Sequence, residues 1–506
     1  MEKKPNIILI LADDLGYGDL SCLNPRGKIH TEHLDSLAAQ GMHFTDCHST
    51  SALCTPSRYS LLTGRYNWRS RLKHMVLPGH SFHLIEPGRM TLASMLKSQG
   101  YRTAAVGKWH LGMDWQTKDG YTLPEDYYSK TAAAEQMLTG IDFSAPIRNG
   151  PNACGFDYFY GMPASLDQPP FVHIENDRAI TQPAGLIGGE LDRSGPNQPH
   201  DIEFGPGEAG YDPVKIVPEM DAKVLSLVEQ YAEDTAPFFL YYPTLAVHAP
   251  LSPSEEYRGK SGLNDYGDFV LQVDGFVGKL DALLREKGIL DNTIVIFTSD
   301  NGCSPVADYP TLVSKGHNPS HIFRGWKGDI WEGGHRVPFL VRWPGVISPG
   351  SRCDALTSLV DVFATLAEIT GTACPDNAGE DSFSMLPLWL GTAGQTRREL
   401  VHHAAWGGYS LRKVGWKLCW CHDSCGMRKR VPRQPDQPPY QLYHMAGDIT
   451  ESYNLYGRHP ETERQMLDDL AKILRDGRST PGMPQPNTPN SIWPGLEFLT
   501  ENPENV

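Results

Sequence analysis

The chain has 506 residues, of which 40% are hydrophobic and 21% are charged, a composition typical of a globular protein with a substantial core. Its formal net charge of −15 disfavours binding to nucleic acid or to an anionic membrane surface. No apolar run approaches the roughly 20 residues that a membrane-spanning helix needs. These properties exclude a membrane-spanning protein, and they require any anionic ligand to be bound by a local group of cations.

The N-terminal segment passes directly from M-E-K-K-P at residues 1–5 into an apolar run, with no separate targeting segment. We therefore expect a cytoplasmic protein, although an exported chain that had lost its signal would look the same. Ten cysteines in a chain of this length are too sparse for a disulfide-stapled secreted domain. We expect most of them to be reduced thiols.

Short apolar runs alternate with helical patterns through the first three-quarters of the chain. This alternation predicts an α/β fold in which a large, mostly parallel sheet lies between layers of helices. Continuous β-rich runs, typical of strands buried on both faces, predict strands at residues 6–12, 103–107, 237–243 and 293–299. The predicted helices, each followed by a glycine that can end it, are residues 31–40, 91–99 and 266–287.

The composition changes twice along the chain. Residues 115–215 are rich in Gly, Pro, Asn and Asp, which predicts long loops around the sheet. A second change near residues 372–395 divides the chain into a main domain, residues 1–375, and a smaller C-terminal α+β subdomain, residues 376–506. In this subdomain we predict a strand at residues 416–421 and an amphipathic helix at residues 460–475, followed by irregular coil from Ser479.

The segment A-L-C-T-P-S-R-Y-S-L-L-T-G at residues 52–64 contains a cysteine at the predicted start of a helix. Thr55 can cap this helix, and Pro56 suits its first position because the missing N–H has no partner to lose there. Backbone N–H groups and the helix dipole would then surround Cys54 with positive charge, with Arg58 one turn away. An isolated cysteine would more often be a core residue, but this pattern predicts an anion-binding pocket.

Acidic and amide side chains follow two of the predicted strands. Asp13 and Asp14 follow the first strand, whereas Asp300 and Asn301 follow the strand at 293–299. Ligands of parallel sheets bind at the carboxyl ends of the strands. Four oxygen donors without a His or Cys pattern suit Ca²⁺ or Mg²⁺ rather than zinc. Either pair alone also fits an ordinary turn, but together they indicate a divalent cation site.

Two motifs carry a resemblance to a known family. The pattern C-x-P-x-R at residues 54–58, followed by L-L-T-G at residues 61–64, resembles the signature of the formylglycine-dependent (type I) sulfatases, an arylsulfatase-like family of the alkaline-phosphatase-like superfamily. The block G-Y-R-T-A-A-V-G-K-W-H at residues 100–110 is similar to a second block of that family. Residues 411–418 and 441–448 resemble its small terminal sheet, so the resemblance spans nearly the whole chain.

The resemblance implies that a separate formylglycine-generating enzyme oxidises Cys54 to formylglycine, an aldehyde whose hydrate is the nucleophile. It also implies a Ca²⁺ ion, with Mg²⁺ less expected. The metal ligands that it implies are Asp13, Asp14, Asp300, Asn301 and the modified Cys54.

The same resemblance assigns catalytic roles to further residues. Arg58 and Lys108 bind the sulfate group, Lys108 also contacts the aldehyde hydrate, and His110 transfers the proton when the covalent intermediate breaks down. His248, in a T-L-A-V-H-A-P segment, and Lys327, in an F-R-G-W-K-G segment, contact the sulfate and help to protonate the leaving oxygen.

A shorter match, G-M-P-A-S at residues 161–165, makes Ser165 a further candidate active-site hydroxyl.

The implied activity is hydrolysis of a small sulfate ester, with an aryl, steroid or carbohydrate sulfate as substrate and with neither nucleic acid nor membrane as partner. Ring-bearing side chains from two loop regions could stack on such a substrate or be ordinary packing: Trp68, His74, His83, Trp115, Tyr127 and Tyr128. A phosphomonoester or phosphonate hydrolase of the same superfamily is an alternative, because a cation and a basic shell also suit phosphate. A catalytically silent anion-binding protein is another, if Cys54 is not oxidised.

One motif has no counterpart in the resemblance. Residues 419–425 read C-W-C-H-D-S-C, a density of cysteine and histidine that is compatible with a structural zinc ion. The spacing matches no standard zinc finger, and surface thiols on a variable loop are the alternative interpretation.

Overall fold

A computed structural model describes residues 4–118, 130–189, 202–427 and 432–488. Its strands in chain order are β1 (Asn6–Ala12), β2 (Met42–Phe44), β3 (Cys47–His48), β4 (Arg102–Lys108), β5 (Tyr158–Met162), β6 (Ile174–Glu175), β7 (Arg178–Ala179), β8 (Pro183–Ile187), β9 (Gly205–Glu208), β10 (Phe238–Pro243), β11 (Thr293–Ser299), β12 (Phe339–Arg342), β13 (Ser351–Cys353), β14 (Thr357–Ser358), β15 (Glu399–His403), β16 (Tyr409–Lys413), β17 (Trp416–Trp420) and β18 (Gln441–His444).

The helices in chain order are α1 (Glu32–Gln40), α2 (Cys54–Thr63), α3 (Leu92–Ser98), α4 (Lys130–Gly140), α5 (Pro213–Ala232), α6 (Asp265–Glu286), α7 (Tyr309–Ser314), α8 (Glu332–His335), α9 (Val362–Thr370), α10 (Leu386–Trp389) and α11 (Pro460–Asp476). Among the described residues, no helix is both long enough and apolar enough to cross a bilayer.

A ten-stranded sheet forms the centre of the molecule, in the order β13-β2-β12-β11-β1-β10-β4-β5-β6-β7. The five strands from β11 to β5 run parallel, and the antiparallel pairs lie towards the two edges. Helices α2, α3 and α9 cover one face, whereas α1, α5 and α6 cover the other. The predicted α/β sandwich is therefore confirmed.

Strand β1 shows why the predicted strands read as continuous apolar runs. All seven of its residues are buried. Ile7 and Leu9 pack into the core on the α2 face, and Ile8 and Ile10 pack into the core on the α1 face. Because successive side chains point to opposite faces, both faces of such a strand favour apolar residues, and the one polar residue of β1, Asn6, donates to Thr293 Oγ1 at 3.4 Å.

A second, four-stranded antiparallel sheet forms near the C-terminus, in the order β15-β16-β17-β18. Helix α11 packs on it through Met466, Leu470 and Leu474, and Gly477 ends this helix in the left-handed region with φ of 65°. The predicted strand at 416–421 and the predicted helix at 460–475 correspond to β17 and α11. The division of the chain at residue 375 stays a prediction.

The prediction of loops throughout residues 115–215 is wrong for part of this segment. Strand β5 joins the central sheet beside β4, and α4 and four short strands also form in the described part. Strand β5 reads Y-F-Y-G-M, a short run that contains a glycine and lies among other turn-forming residues. Its pairing depends on β4, which local sequence composition does not reveal.

Candidate active site

The carboxyl ends of β1 and β11 bring the four predicted metal ligands to one place. Ala12 pairs with Ser299, so the residues that follow each strand are neighbours. The amide N–H of Asp14 donates to Asp300 Oδ1 at 3.2 Å, and Asn301 Nδ2 donates to Asp14 Oδ1 at 2.8 Å. Asp14 adopts a φ of 63°, which turns the chain sharply at the end of β1. Asp13, Asp14, Asp300 and Asn301 therefore form one buried oxygen-rich group.

Two cations pair with this group from its two sides. Lys108 ends β4 and places its Nζ 2.6 Å from Asp13 Oδ2. Arg58, on α2, donates from Nε and Nη2 to Asp300 Oδ2 at 3.0 and 2.7 Å. The Arg58 guanidinium also donates to the backbone carbonyl of Lys108 at 3.0 Å, which fixes the positions of α2 and β4 relative to each other.

A third cation approaches Asp14. Lys327 Nζ lies 2.6 Å from Asp14 Oδ1, and His248 Nε2 lies 3.6 Å from Asp14 Oδ2. His248 Nδ1 faces the carbonyl of Ala249 at 2.8 Å. Arg58, Lys108 and Lys327 thus come from three separate parts of the chain and surround the same carboxylates.

Cys54 is the first residue of α2, and its side chain is only 2% exposed. Its sulfur, one oxygen each of Asp13 and Asp14 and one nitrogen of His248 all lie within 4.8 Å of one another. The predicted capping role of Thr55 is wrong, because Leu53 precedes the helix and Thr55 Oγ1 instead accepts a bond from the N–H of Leu77. The helix start still lies beside the carboxylates.

Burial and neighbouring charges shift the pKa values of Asp13 and Asp300, two of the three carboxylates that pair with the cations, in opposite directions. Burial disfavours ionisation of Asp13, but Lys108, His248 and Arg58 outweigh it and hold its pKa well below the usual range. For Asp300, burial and the adjacent Asp13 charge outweigh Arg58 and raise the pKa to about 6. Two carboxylates this close repel each other, and the arrangement favours a cation between them.

The two histidines also differ in charge. Burial, together with Lys108 and Arg58, lowers the pKa of His110 well below its ordinary value, so this ring is neutral. Burial and Lys327 also act against the charged form of His248, but Asp14 and Asp13 outweigh them and raise its pKa to about 9. The site therefore combines a neutral imidazole with a protonated one.

Buried oxygen atoms without partners test whether these residues suit a hard cation. Asp13 Oδ1 and Asn301 Oδ1 are both buried and make no hydrogen bond. Unpaired buried oxygens are costly, and a bound cation would satisfy them. Carboxylate and amide oxygens are also the donors that Ca²⁺ and Mg²⁺ prefer, so the residues fit such an ion.

His110 lies just beyond β4 and is nearly fully buried. Its Nε2 faces the carbonyl of Leu77 at 2.8 Å, whereas its Nδ1 has no hydrogen-bond partner. Ser165 follows β5, is buried and donates to Gln168 Oε1 at 3.5 Å. Its role as an active-site hydroxyl stays a prediction. Sequence reasoning missed Asp167, whose Oδ1 lies 3.7 Å from His248 Nδ1.

The predicted ring-bearing substrate contacts divide into two groups. Trp68 and Trp115 are buried in hydrophobic cores, which makes them packing residues. His83 pairs with Asp114 at 2.8 Å, and Tyr127 and Tyr128 lie outside the described residues. His74 is exposed and stacks on Trp406 with a centroid distance of 6.0 Å. Of these candidates, His74 presents a ring to solvent as part of an aromatic pair.

The zinc site that the C-W-C-H-D-S-C segment could have formed is not present in the described part of the chain. Three groups of metal-binding side chains come together there, and none contains Cys419, Cys421 or Cys425. One is the active-site group, and the other two lie around His48, which contacts His335 Nδ1 at 3.1 Å and Asp46 at 2.8 Å. Sequence reasoning missed this histidine cluster because its members are far apart along the chain.

Comparison with known proteins agrees with this geometry. The family model described as Sulfatase matches residues 5–372. The N-acetylgalactosamine-6-O-sulfatase of Bacteroides thetaiotaomicron is 35% identical over 506 aligned residues, which cover 93% of this chain and 93% of that protein. Human arylsulfatase A is 32% identical, over 93% of this chain and 87% of its own length.

Solved structures show the same similarity. A sulfatase structure from Bacteroides thetaiotaomicron, from work on its metabolism of glycosaminoglycans, superposes with a TM-score of 0.79 at 33% identity and covers 93% of this chain and 99% of that chain. The phosphonate monoester hydrolase of Agrobacterium radiobacter reaches a TM-score of 0.58 at 19% identity, covering 94% of this chain and 96% of that one. The second likeness concerns the fold alone.

Proposed function

Because the chain belongs to the sulfatase family and hydrolyses sulfate esters, we propose that it does so with a formylglycine made from Cys54 and a divalent cation, on a carbohydrate sulfate. The observation that carries the proposal is the convergence of Cys54 with three buried cations and four oxygen ligands at the ends of β1 and β11. This arrangement combines a reactive position, a cation site and an anion site in one pocket.

The three cations supply the anion-binding part of the site. Arg58, Lys108 and Lys327 pair with carboxylates in the free protein, and each is at most 7% exposed. A sulfate group brought among them would accept hydrogen bonds in a nearly water-free environment, where charged bonds are strong. A fixed arrangement of this kind stabilises the charge that develops on the sulfate oxygens without reorganising solvent.

A cation held by Asp13, Asp14, Asp300 and Asn301 would supply further positive charge for the sulfate oxygens. It would also release Lys108 and Lys327 from their carboxylate partners, because the carboxylates would then bind the ion. The two ammonium groups would thereby become available to the sulfate.

Formylglycine, as its hydrate, would supply a nucleophilic hydroxyl that a thiol cannot replace. The neutral His110, with its unpartnered Nδ1, is suited to accept a proton at this site. His248, which is 11% exposed and has its Nε2 3.6 Å from Asp14 Oδ2, is suited by its position to donate a proton to the departing alcohol oxygen. The two imidazoles therefore divide the work of base and acid.

A sugar sulfate is supported by the relatives and by an exposed aromatic pair close in sequence to a residue that contacts His110. The bacterial relative at 35% identity is named for a 6-O-sulfated amino sugar. His74 stacks on Trp406, and the neighbouring Met75 N–H donates to the Ala405 carbonyl at 2.8 Å. Leu77, three residues from His74, contacts His110. An aromatic surface here can cover the apolar face of a sugar ring.

The experiment uses full-length protein coexpressed with a formylglycine-generating enzyme, with conversion measured as a loss of about 18 Da in the peptide that contains Cys54. Steady-state rates are then compared on N-acetylgalactosamine 6-sulfate, 4-nitrophenyl sulfate, a steroid sulfate and 4-nitrophenyl phosphate, with Ca²⁺ and after chelation. We expect the highest kcat/KM on the sugar sulfate and a loss of activity on chelation that Ca²⁺ reverses.

Other outcomes would replace parts of the proposal. A preference for aryl or steroid sulfate would overturn the carbohydrate substrate, and a preference for the phosphate would support the alternative of a phosphomonoester hydrolase. Full activity with an unmodified Cys54 thiol would overturn the formylglycine nucleophile. Activity that survives exhaustive chelation would remove the cation from the mechanism.

A further inference from the structure

The loop that follows β17 contains two thiols that the proposed reaction does not use. Cys421 is 7% exposed and Cys425 is 3% exposed, and both belong to a small hydrophobic cluster with Cys419 and Tyr443. Cys425 adopts a φ of 46°, which bends the chain within the loop. The loop therefore returns on itself, with its fifth residue close to its first.

The two sulfur atoms meet beside a glycine. The Cys421 thiol donates to the backbone carbonyl of Asp423, midway between the two cysteines, at 3.3 Å. A Cβ atom added to Gly408 would lie 2.8 Å from Cys425 Sγ and 3.4 Å from Cys421 Sγ, so both sulfurs border the same small space. Only a residue without a side chain leaves this space to the sulfurs.

The contacts of the pair favour a bond between the sulfurs over a shared metal ion. In the described part of the chain, the groups of side chains that could bind a metal ion include neither Cys421 nor Cys425 nor Cys419. The pair therefore has no third metal ligand there. Two neighbouring thiols without further ligands are suited to become a disulfide.

We propose that Cys421 and Cys425 are a modification site, in which an oxidant of the disulfide class converts the two thiols into an intrachain disulfide. One thiolate attacks a sulfur of the oxidant, forms a mixed disulfide and releases one thiolate of the oxidant. The second cysteine thiolate then attacks the mixed disulfide, closes the Cys421–Cys425 bond and releases the other. Two electrons pass to the oxidant, and its two thiolates take up the two protons.

The bond would brace a segment that carries an active-site residue. Ile330 N–H donates to the Ser424 carbonyl at 2.8 Å, and a Cβ on Gly328 would come within 2.8 Å of Met427. The loop therefore packs along the residues that directly follow Lys327. Closing the loop between Cys421 and Cys425 would restrict its unfolding and stabilise the protein against heat.

The test uses the full-length protein, incubated with a mixture of glutathione and its disulfide during refolding, then denatured and alkylated without reduction. Trypsin releases residues 418–428 as one peptide, which contains Cys419, Cys421 and Cys425. We expect this peptide to carry one alkyl group, on Cys419, and to be about 2 Da lighter in its remaining part than the dithiol. The melting temperature of the oxidised protein should fall by several degrees on addition of dithiothreitol.

Matched variants locate the bond. Cys421→Ser should lose both the 2 Da difference and the effect of dithiothreitol, whereas Cys419→Ser should keep both. Three alkyl groups on the wild-type peptide, or a bond that includes Cys419, would overturn the proposal. The wild-type measurement decides the matter even if a variant fails to fold. Sulfatase activity is not among the readouts, so failure of the proposed function would leave this result unchanged.

Discussion

Two clusters of buried charge in the described part of the chain differ in position more than in composition. The active-site cluster lies at the carboxyl ends of β1 and β11, with His248 partly exposed. The interface cluster lies between the segment after β2 and the small C-terminal sheet, and its members are fully buried: His48, Glu332, His335, His402, Lys417 and Glu451. Charge density alone therefore does not identify an active site.

The surroundings of the cations differ between the clusters. In the interface cluster, the Lys417 ammonium lies 3.0 Å from Glu332, 2.8 Å from Glu451 and 3.1 Å from His335 Nε2, so one buried lysine pairs with both carboxylates. In the active-site cluster, Asp13 Oδ1 keeps no partner at all. Glu451 Oε1 and His402 Nε2 of the interface cluster have no hydrogen-bond partner either, so it is the partly exposed His248 and the adjacent Cys54 that distinguish the active-site cluster. Three variants test this distinction, and a fourth tests a buried carboxylate outside both clusters; they follow from the largest expected effect to the smallest.

Replacing Cys54 by alanine removes the position that is proposed to become the nucleophile. We expect kcat/KM for sulfate esters to fall by about 10⁴-fold or more, because no neighbouring hydroxyl can take over the reaction. The melting temperature should stay close to that of the wild type, since the change deletes one sulfur atom. Rates with a sugar sulfate, alongside thermal unfolding, measure both. Substantial residual activity would show that Cys54 is not the reactive group.

His110→Asn removes the neutral imidazole but keeps a polar side chain of similar reach. General-base catalysis contributes about 10²- to 10⁴-fold, and we expect kcat to fall within this range. Substrate binding should change little, because the cations that bind sulfate remain. A single-turnover assay on the matured variant separates substrate binding from the chemical step. If KM rises and kcat does not change, His110 binds substrate instead of moving a proton.

Lys417→Met tests the interface cluster. The variant leaves Glu332 and Glu451 buried without their cation, a change that costs about 3–5 kcal/mol of unfolding free energy in comparable sites. Urea denaturation measures this loss, and Lys413→Met, at a half-buried lysine, provides the matched control. We expect activity per folded molecule to remain near the wild-type level. A large fall in kcat with unchanged stability would contradict the division between the two clusters.

Asp221 gives the smallest effect, through pH. Burial raises its pKa to about 7, while its side chain bonds to the Tyr242 hydroxyl at 2.5 Å. In the unfolded chain this carboxyl ionises near pH 4, so the unfolded state loses its proton first and stability falls as pH rises from about 4 to 7. We expect Asp221→Asn to flatten this part of the stability curve by about 1–3 kcal/mol at most. Urea unfolding at pH 5 and pH 8 measures the change in unfolding free energy for each protein. An equal change in the wild type and in the variant would contradict the prediction.

Local sequence predicted the centre of the fold well. Strands β1, β4, β10 and β11 are continuous apolar runs, and each predicted position agrees with the structure within one or two residues. Burial on both faces leaves such strands no alternative composition. Strand β5 was missed because it pairs with β4, where Ala104 is the partner of Tyr158, a separation that local sequence does not report.

The buried charged residues likewise divide into those that could be predicted from the sequence and those that could not. The placing of Asp13 and Asp300 followed from the rule that parallel strands end at one edge, and the motif around Cys54 followed from the family resemblance. The pairing of Lys417 with Glu332 and Glu451 could not be predicted, because these residues lie far apart in the sequence. Tertiary contacts of this kind leave no periodic signal in the sequence.

The burial of Cys54 also constrains when the protein can be made ready for work. Backbone hydrogen bonds join Ala52 and Thr50 to His403 of β15, so the loop before Cys54 pairs with the C-terminal sheet. The thiol is only 2% exposed in the folded protein. An enzyme that oxidises it must therefore act on this segment before β15 packs against it. The timing of folding relative to oxidation therefore matters. A chain that folded completely first would bury Cys54 as an unconverted thiol.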